Sequence, residues 1–215
     1  MSDTLTISEI FHSIQGESSY TGLPCIFVRL SFCNLRCSWC DSEYTFYEGE
    51  EQSIDAVMDQ VRSYPCNLVE VTGGEPLAQE ACLPLLTRLC EEGYTVLLET
   101  SGSIDIAPVD PRVHRIVDIK CPGSAMVARN NWGNIDALRE TDEVKFVIRD
   151  RHDYEWAKDI LSKHALTERC PVLFSPVFGS MENVDLASWI VDDGLNVRFQ
   201  IQVHKYIWDP KARGV

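Results

Sequence analysis

Apolar residues recur along the chain with two periods. Residues 4–11 read as a short strand, and 25–32, Cys-Ile-Phe-Val-Arg-Leu-Ser-Phe, as a buried one. Over 52–63, Ile54, Val57, Met58 and Val61 fall on one helical stripe. A strand over 67–72 is followed by a helix from about 79 to 92, stopped by Gly93. Strands follow at 95–100, 115–120 and 143–149, then a helix over 152–165, a strand over 171–175, a helix over 182–192 and a last strand over 196–203. Residues 101–114 look irregular. Alternation of strand and helix predicts a parallel sheet with covering helices. Only some connections have room for a full helix. The expected fold is therefore α/β, a partial, open (β/α) barrel rather than eight full units, formed as a single domain over residues 1–215. The chain shows no internal repeat, low-complexity segment or linker.

Parallel barrels place their chemistry in the loops after the C-terminal ends of strands. Five polar or glycine-bearing segments fall there: the loop beginning at Cys33, Thr72-Gly73-Gly74-Glu75-Pro76, Thr100-Ser101-Gly102, Asp118-Ile119-Lys120 and Ser175-Pro176. The first is the most specific. Cys33, Cys37 and Cys40 are spaced C-x3-C-x2-C, and no fourth cysteine is near. Three thiolates on one loop suit one face of an iron–sulfur cube with one iron left open. A structural zinc or an electron-transfer cluster uses four protein ligands, so a zinc site here would need completion by His12 or a distant cysteine. In Thr72–Pro76, two glycines at a strand end let the backbone approach a ligand closely. Arg29 interrupts an apolar strand and calls for an anionic partner, either a protein carboxylate or a ligand's. The segment from His12 to Ser19 is a polar turn rich in hydrogen-bonding side chains.

Charge narrows the partners. The 215 residues carry a net charge of -14 at pH 7, with a pI of about 4.7. An acidic surface repels phosphate backbones, which disfavours a nucleic-acid substrate and points to a small molecule. Nine cysteines, odd in number and scattered, do not form a disulfide framework, so a reducing cytoplasm is expected. The first residues lack a signal-peptide pattern, and no apolar run approaches the roughly 20 residues of a membrane span.

The cysteine loop, with Trp39 before its last cysteine and Thr72–Pro76 one strand and one helix later, resembles the radical S-adenosylmethionine (SAM) superfamily. The resemblance implies a 4Fe–4S cluster on Cys33, Cys37 and Cys40, with SAM chelated to the open iron. It implies SAM contacts at Trp39, Gly74, Glu75, Ser101, Asp118, Lys120 and Ser175. Phe11-His-Ser-Ile-Gln-Gly-Glu17, Arg29, the sequence Trp39-Cys40-Asp41-Ser42 and the Gln202-Val203-His204-Lys205 tail are similar to the 7-carboxy-7-deazaguanine synthases, over essentially the whole chain. That family implies the substrate 6-carboxy-5,6,7,8-tetrahydropterin, the product 7-carboxy-7-deazaguanine with loss of ammonia, and a place in queuosine biosynthesis. Ile14, Gln15, Gly16, Glu17, Arg29 and Thr72 are the implied substrate contacts. In the family a threonine two residues after the last cluster cysteine ligates magnesium; Ser42 stands there, and its hydroxyl is also a hard oxygen ligand. A flavodoxin or ferredoxin electron donor and a homodimer are further implied. Glycyl-radical-enzyme activases share the cysteine loop, but segment 12–17 and Arg29 argue against that reading. A non-catalytic zinc or iron–sulfur module is the other alternative.

Overall fold

Nine strands join one sheet among residues 3–215, the part of the chain that the computed structural model describes. They are β1 (Thr4–Ile14), β2 (Pro24–Leu30), β3 (Glu50–Ser53), β4 (Leu68–Gly73), β5 (Thr95–Thr100), β6 (His114–Asp118), β7 (Glu143–Ile148), β8 (Val172–Pro176) and β9 (Arg198–Phe199). Their order across the sheet is β3-β1-β2-β4-β5-β6-β7-β8-β9. β1 runs antiparallel to both its neighbours, and every pair from β2 to β9 is parallel. The two edges do not meet, so the barrel is open, as the strand–helix alternation predicts.

The helices are α1 (Ile54–Arg62), α2 (Cys82–Glu91), α3 (Arg151–His164), α4 (Asn183–Asp192) and the single turn α5 (His204–Ile207). Side-chain caps fix two of their starts. Ser53 accepts from the Ala56 amide at 3.2 Å, and Asp150 from the Asp153 amide at 3.0 Å. Val57, Met58 and Val61, the predicted stripe, pack with Leu85, Leu86 and Leu89 of α2 against Val69 and Val71 of β4. Each such buried side chain contributes about 1.5–3 kcal/mol. A second cluster of the same kind joins α3 and α4 to β7 and β8 through Phe146, Tyr154, Phe174 and Leu186.

Three boundaries differ from expectation. The helix predicted from about 79 begins at Cys82, because Gln79 is extended. Its amide is spent on the backbone of β1 and the residue after β2, with bonds to Thr6 and Ser31. The last strand shrinks to Arg198–Phe199, and His204–Ile207 turns helical. β3 has the polar sequence Glu-Glu-Gln-Ser, which carries no strand signal, and forms by pairing with β1.

β1 contains the feature with most consequence for the site. Its pairing with β2 shifts register between Ile7 and Glu9. Before this bulge, Leu5 and Ile7 belong to the helix-side core. After it, Ile10 faces that core, while Phe11 turns inward and stacks on Phe27 at 4.9 Å. One extra residue thus exchanges the two faces of the strand.

Candidate active site

The inward faces of the strands build the site in two layers. Lowest is an apolar floor of Phe11, Cys25, Phe27, Leu68, Leu97 and Ile116. One pleat further toward the C-terminal ends, the same faces carry charge: Arg29 on β2, Glu70 and Thr72 on β4, Glu99 on β5, Asp118 on β6 and Lys145 on β7. All of these line one cavity of about 880 Å³. Cys33, Cys37 and Cys40 line it too, as do Trp39 and Ser42, so the cysteine loop and the polar row face the same space.

Local bonds hold the cysteine loop. The Gly74 amide donates to the Leu30 carbonyl at 3.1 Å and the Glu75 amide to the Phe32 carbonyl at 2.8 Å. Gly73 has φ +146°, and a Cβ on either glycine would collide with a carbonyl oxygen, of Leu30 or Phe32. The two glycines are therefore required by the approach of this turn to the backbone leading into Cys33. Arg36 donates to the carbonyls of Cys33 (2.8 Å) and Leu35 (2.6 Å) and lies 4.0 Å over the Phe46 ring. Ser38 ties the loop's far side to Gly123 and Ser124 in the β6–β7 connection.

All nine cysteines are free. Burial pushes the Cys40 thiol up to about 11 and shifts Cys33 and Cys37 in the same direction, so metal loading releases protons. Among the described residues the three sulfurs are not gathered within 4.8 Å of one another, whereas four ligands around one zinc at about 2.3 Å would be. His12 lies on the other face of β1, with its ring against Tyr64. This placement, which follows from the bulge, removes His12 as the residue that could complete the alternative zinc site. Three loop thiols around an open space fit a cluster better than a single closed ion.

The expected SAM contacts divide. Trp39, Gly74, Ser101, Asp118 and Lys120 line the cavity. Lys120 pairs with Asp118 at 2.8 Å; burial opposes its charge, but Asp118 and Cys37 outweigh this and raise it above the usual lysine range. Among the described residues the other oxygen of Asp118 and the hydroxyl of Ser175 are buried without a hydrogen-bond partner; Asp118 lines the cavity, where a bound polar group can satisfy it. Glu75 and Ser175 do not line the cavity. Glu75 is wholly buried and accepts from Thr100, from the amide and hydroxyl of Ser101, and from the Leu77 amide. It ties the glycine turn to the 100–102 loop.

The six expected substrate contacts, Ile14, Gln15, Gly16, Glu17, Arg29 and Thr72, all line the cavity. Gln15 accepts from the Glu17 amide at 3.0 Å and donates to Glu70 at 2.5 Å. Glu17 pairs with Lys145 at 2.9 Å and accepts from Gln202 at 3.0 Å. Burial would raise Glu17, but Lys145 and His204 overcome it and hold it at about 2. Lys145 also pairs with Glu99. Among the described residues no cation forms an ion pair with Glu70; burial and the Glu99 charge outweigh the more distant Lys145 and keep its carboxyl well above the usual range. Arg29 donates its Nε to Glu9 at 2.8 Å. Ser42 donates to Asp41 at 3.0 Å, and Asp41 is held by Lys205 at 2.6 Å.

Sequence reasoning missed Glu9, Glu70, Glu99 and Lys145. For the last three the signal was the one that singled out Arg29, a charge inside an apolar strand. Glu9 had no such signal, because only the bulge turns it inward. The 210–215 tail also lines the cavity, with Arg213 stacked 3.8 Å over Tyr44 and paired with Glu48.

Comparisons agree with this geometry. The sequence pattern of the radical SAM superfamily matches residues 28–164. The 7-carboxy-7-deazaguanine synthase of Koribacter versatilis is 48% identical, the match covering 98% of this chain and 100% of that one. That of Chlorobaculum tepidum is also 48% identical, over 98% and 97%. The crystal structure of QueE from Escherichia coli superposes with a TM-score of 0.77 at 23% identity, covering 94% of this chain and 95% of that one, which establishes the shared fold. On its sequence and its fold, the chain belongs to the 7-carboxy-7-deazaguanine synthase family of the radical SAM superfamily.

Proposed function

We propose that this chain converts 6-carboxy-5,6,7,8-tetrahydropterin to 7-carboxy-7-deazaguanine and ammonia, as a single-domain lyase of 7-deazapurine (queuosine) biosynthesis. The observation that carries the reading is the meeting, in one cavity, of an open three-thiol loop with a row of buried polar groups that includes Arg29. In this reading Cys33, Cys37 and Cys40 hold a 4Fe–4S cluster. SAM lies against Trp39, Gly74, Ser101, Asp118 and Lys120. When bound, the cluster and SAM supply a carbon-centred radical for hydrogen abstraction at C6 of the pterin, the carbon that bears the carboxylate.

The chain's own groups bind and orient. Arg29 takes the substrate carboxylate through charge-assisted hydrogen bonds. Gln15, Gly16, Glu17 and Thr72, with Ile14 beside them, hold the heterocycle, whose edge carries both donors and acceptors. Glu75 acts from behind by fixing the turn and the 100–102 loop. Ser42 is the proposed magnesium ligand, with Asp41 as a neighbouring hard oxygen. Electrons come from a flavodoxin or ferredoxin. We read the chain as a homodimer, on the strength of Val184 and Val191 of α4 and Phe199 of the edge strand, large apolar side chains left exposed.

Anaerobic incubation of the reconstituted protein with SAM, reductant and the carboxypterin tests the proposal. Formation of 7-carboxy-7-deazaguanine and ammonia is expected. SAM cleavage that needs a partner protein, and is indifferent to the carboxypterin, would instead identify an activase.

A further inference from the structure

Arg29 is held at one edge only. Its Nε donates to Glu9, and among the described residues its terminal nitrogens make no hydrogen bond. The same Glu9 oxygen accepts from the Tyr44 hydroxyl, also at 2.8 Å. Tyr44 sits two residues beyond Ser42, in the turn that closes the cysteine loop. Arg213 of the tail covers its ring. Glu9 reaches this place only because the β1 bulge exchanges the faces of the strand. Without that extra residue its side chain would point at α1 and α2. Bulges re-aim side chains beside functional sites, and this one puts a carboxylate next to the guanidinium of β2, its partner in register.

We propose that Glu9 and Tyr44 are positioning residues that aim Arg29. Glu9 occupies the Nε, so the paired terminal nitrogens stay turned toward the cavity as a two-toothed fork for the substrate carboxylate. Tyr44 fixes the Glu9 oxygen from the cysteine-loop side, which links the arginine's direction to the loop that carries the cluster ligands. The inference rests on the reading of Arg29 given above and deepens it.

The test is equilibrium binding of the carboxypterin to the reconstituted, SAM-loaded protein without reductant, so that no turnover occurs. Glu9→Leu should weaken binding about tenfold and Tyr44→Phe roughly three- to tenfold, the range of an ordinary net hydrogen bond, as expected of groups that act through the arginine and do not touch the ligand. Glu9→Gln, which keeps an acceptor, should recover most of the loss. Iron content and SAM affinity should not change, and in turnover KM should rise while kcat at saturation stays within about twofold. In an Arg29→Met background the Glu9 and Tyr44 substitutions should add nothing, because they act through the arginine. Equal losses in both backgrounds would overturn the positioning role while leaving Arg29 as the carboxylate ligand. Unchanged carboxypterin affinity in Arg29→Met alone would overturn the reading of Arg29 itself.

Discussion

Ser42 and Asp41 sit between the last cluster cysteine and the substrate side of the cavity, and both are already engaged. The Ser42 hydroxyl donates to Asp41, and Lys205 holds the outer carboxylate oxygen. The Asp41 side chain is half exposed; partial loss of water works against its charge, but Lys205 and Ser42 overcome this, so the carboxyl lies well below the usual range. A metal at Ser42 would therefore meet a fully ionised neighbour. Magnesium keeps several waters and needs few protein oxygens. Ser42→Ala should reduce turnover and raise the magnesium concentration for half-maximal rate, with the visible spectrum of the cluster unchanged. Ser42→Thr, which supplies the hydroxyl found in the family, should restore the response. An identical magnesium curve for Ser42→Ala and the parent would show that the serine is not a ligand.

At the scale of elements, the connections without helices matter most. β5 joins β6 through turns, and β6 joins β7 through turns and three short 3₁₀ segments, so polar side chains hold what helix packing would otherwise hold. Asn134 bonds the backbone at Gly102, Ile104 and Ile106. Asp142, wholly buried, takes both Arg115 and Arg139. Arg115 is 3% exposed, so Asp142→Ala would strand a buried guanidinium. That should cost about 3–5 kcal/mol, read from urea unfolding; a loss below about 1 kcal/mol would mean that water or a neighbour compensates. The elements that were legible in sequence are those whose signal is local. The apolar runs of β2, β4, β5 and β8, and the α1 stripe, needed no tertiary partner to be read. β3, the start of α2 and the shortened β9 are set by contacts distant in sequence: pairing with β1, Gln79 bonding to Thr6, and the end of the sheet. The site was legible to the same extent. Cysteine spacing, the glycine turn and a charge in an apolar strand marked it, while the inward turn of Glu9 depends on one extra residue that no hydropathy period reveals.

Across the whole molecule, charge is divided between the cavity and the rest. Six cations and six carboxylates line the cavity. The chain has 19 Lys and Arg against 33 Asp and Glu, so the remainder is 13 against 27 and the entire -14 lies elsewhere. A carboxylate substrate thus meets an acidic surface but a neutral cavity with Arg29, Lys120 and Lys145 in its walls. The carboxylate is therefore held by short-range pairing inside the cavity and not by long-range attraction, and the same acidic exterior disfavours a phosphate backbone. The central claim is that this cavity directs hydrogen abstraction to the carbon bearing the substrate carboxylate. The most direct measurement uses carboxypterin deuterated at C6, with mass analysis of the recovered 5′-deoxyadenosine and product. The account predicts deuterium in the 5′-deoxyadenosine of reactions that form 7-carboxy-7-deazaguanine. Unlabelled 5′-deoxyadenosine, with the deuterium retained in the pterin and no deazaguanine formed, would contradict it.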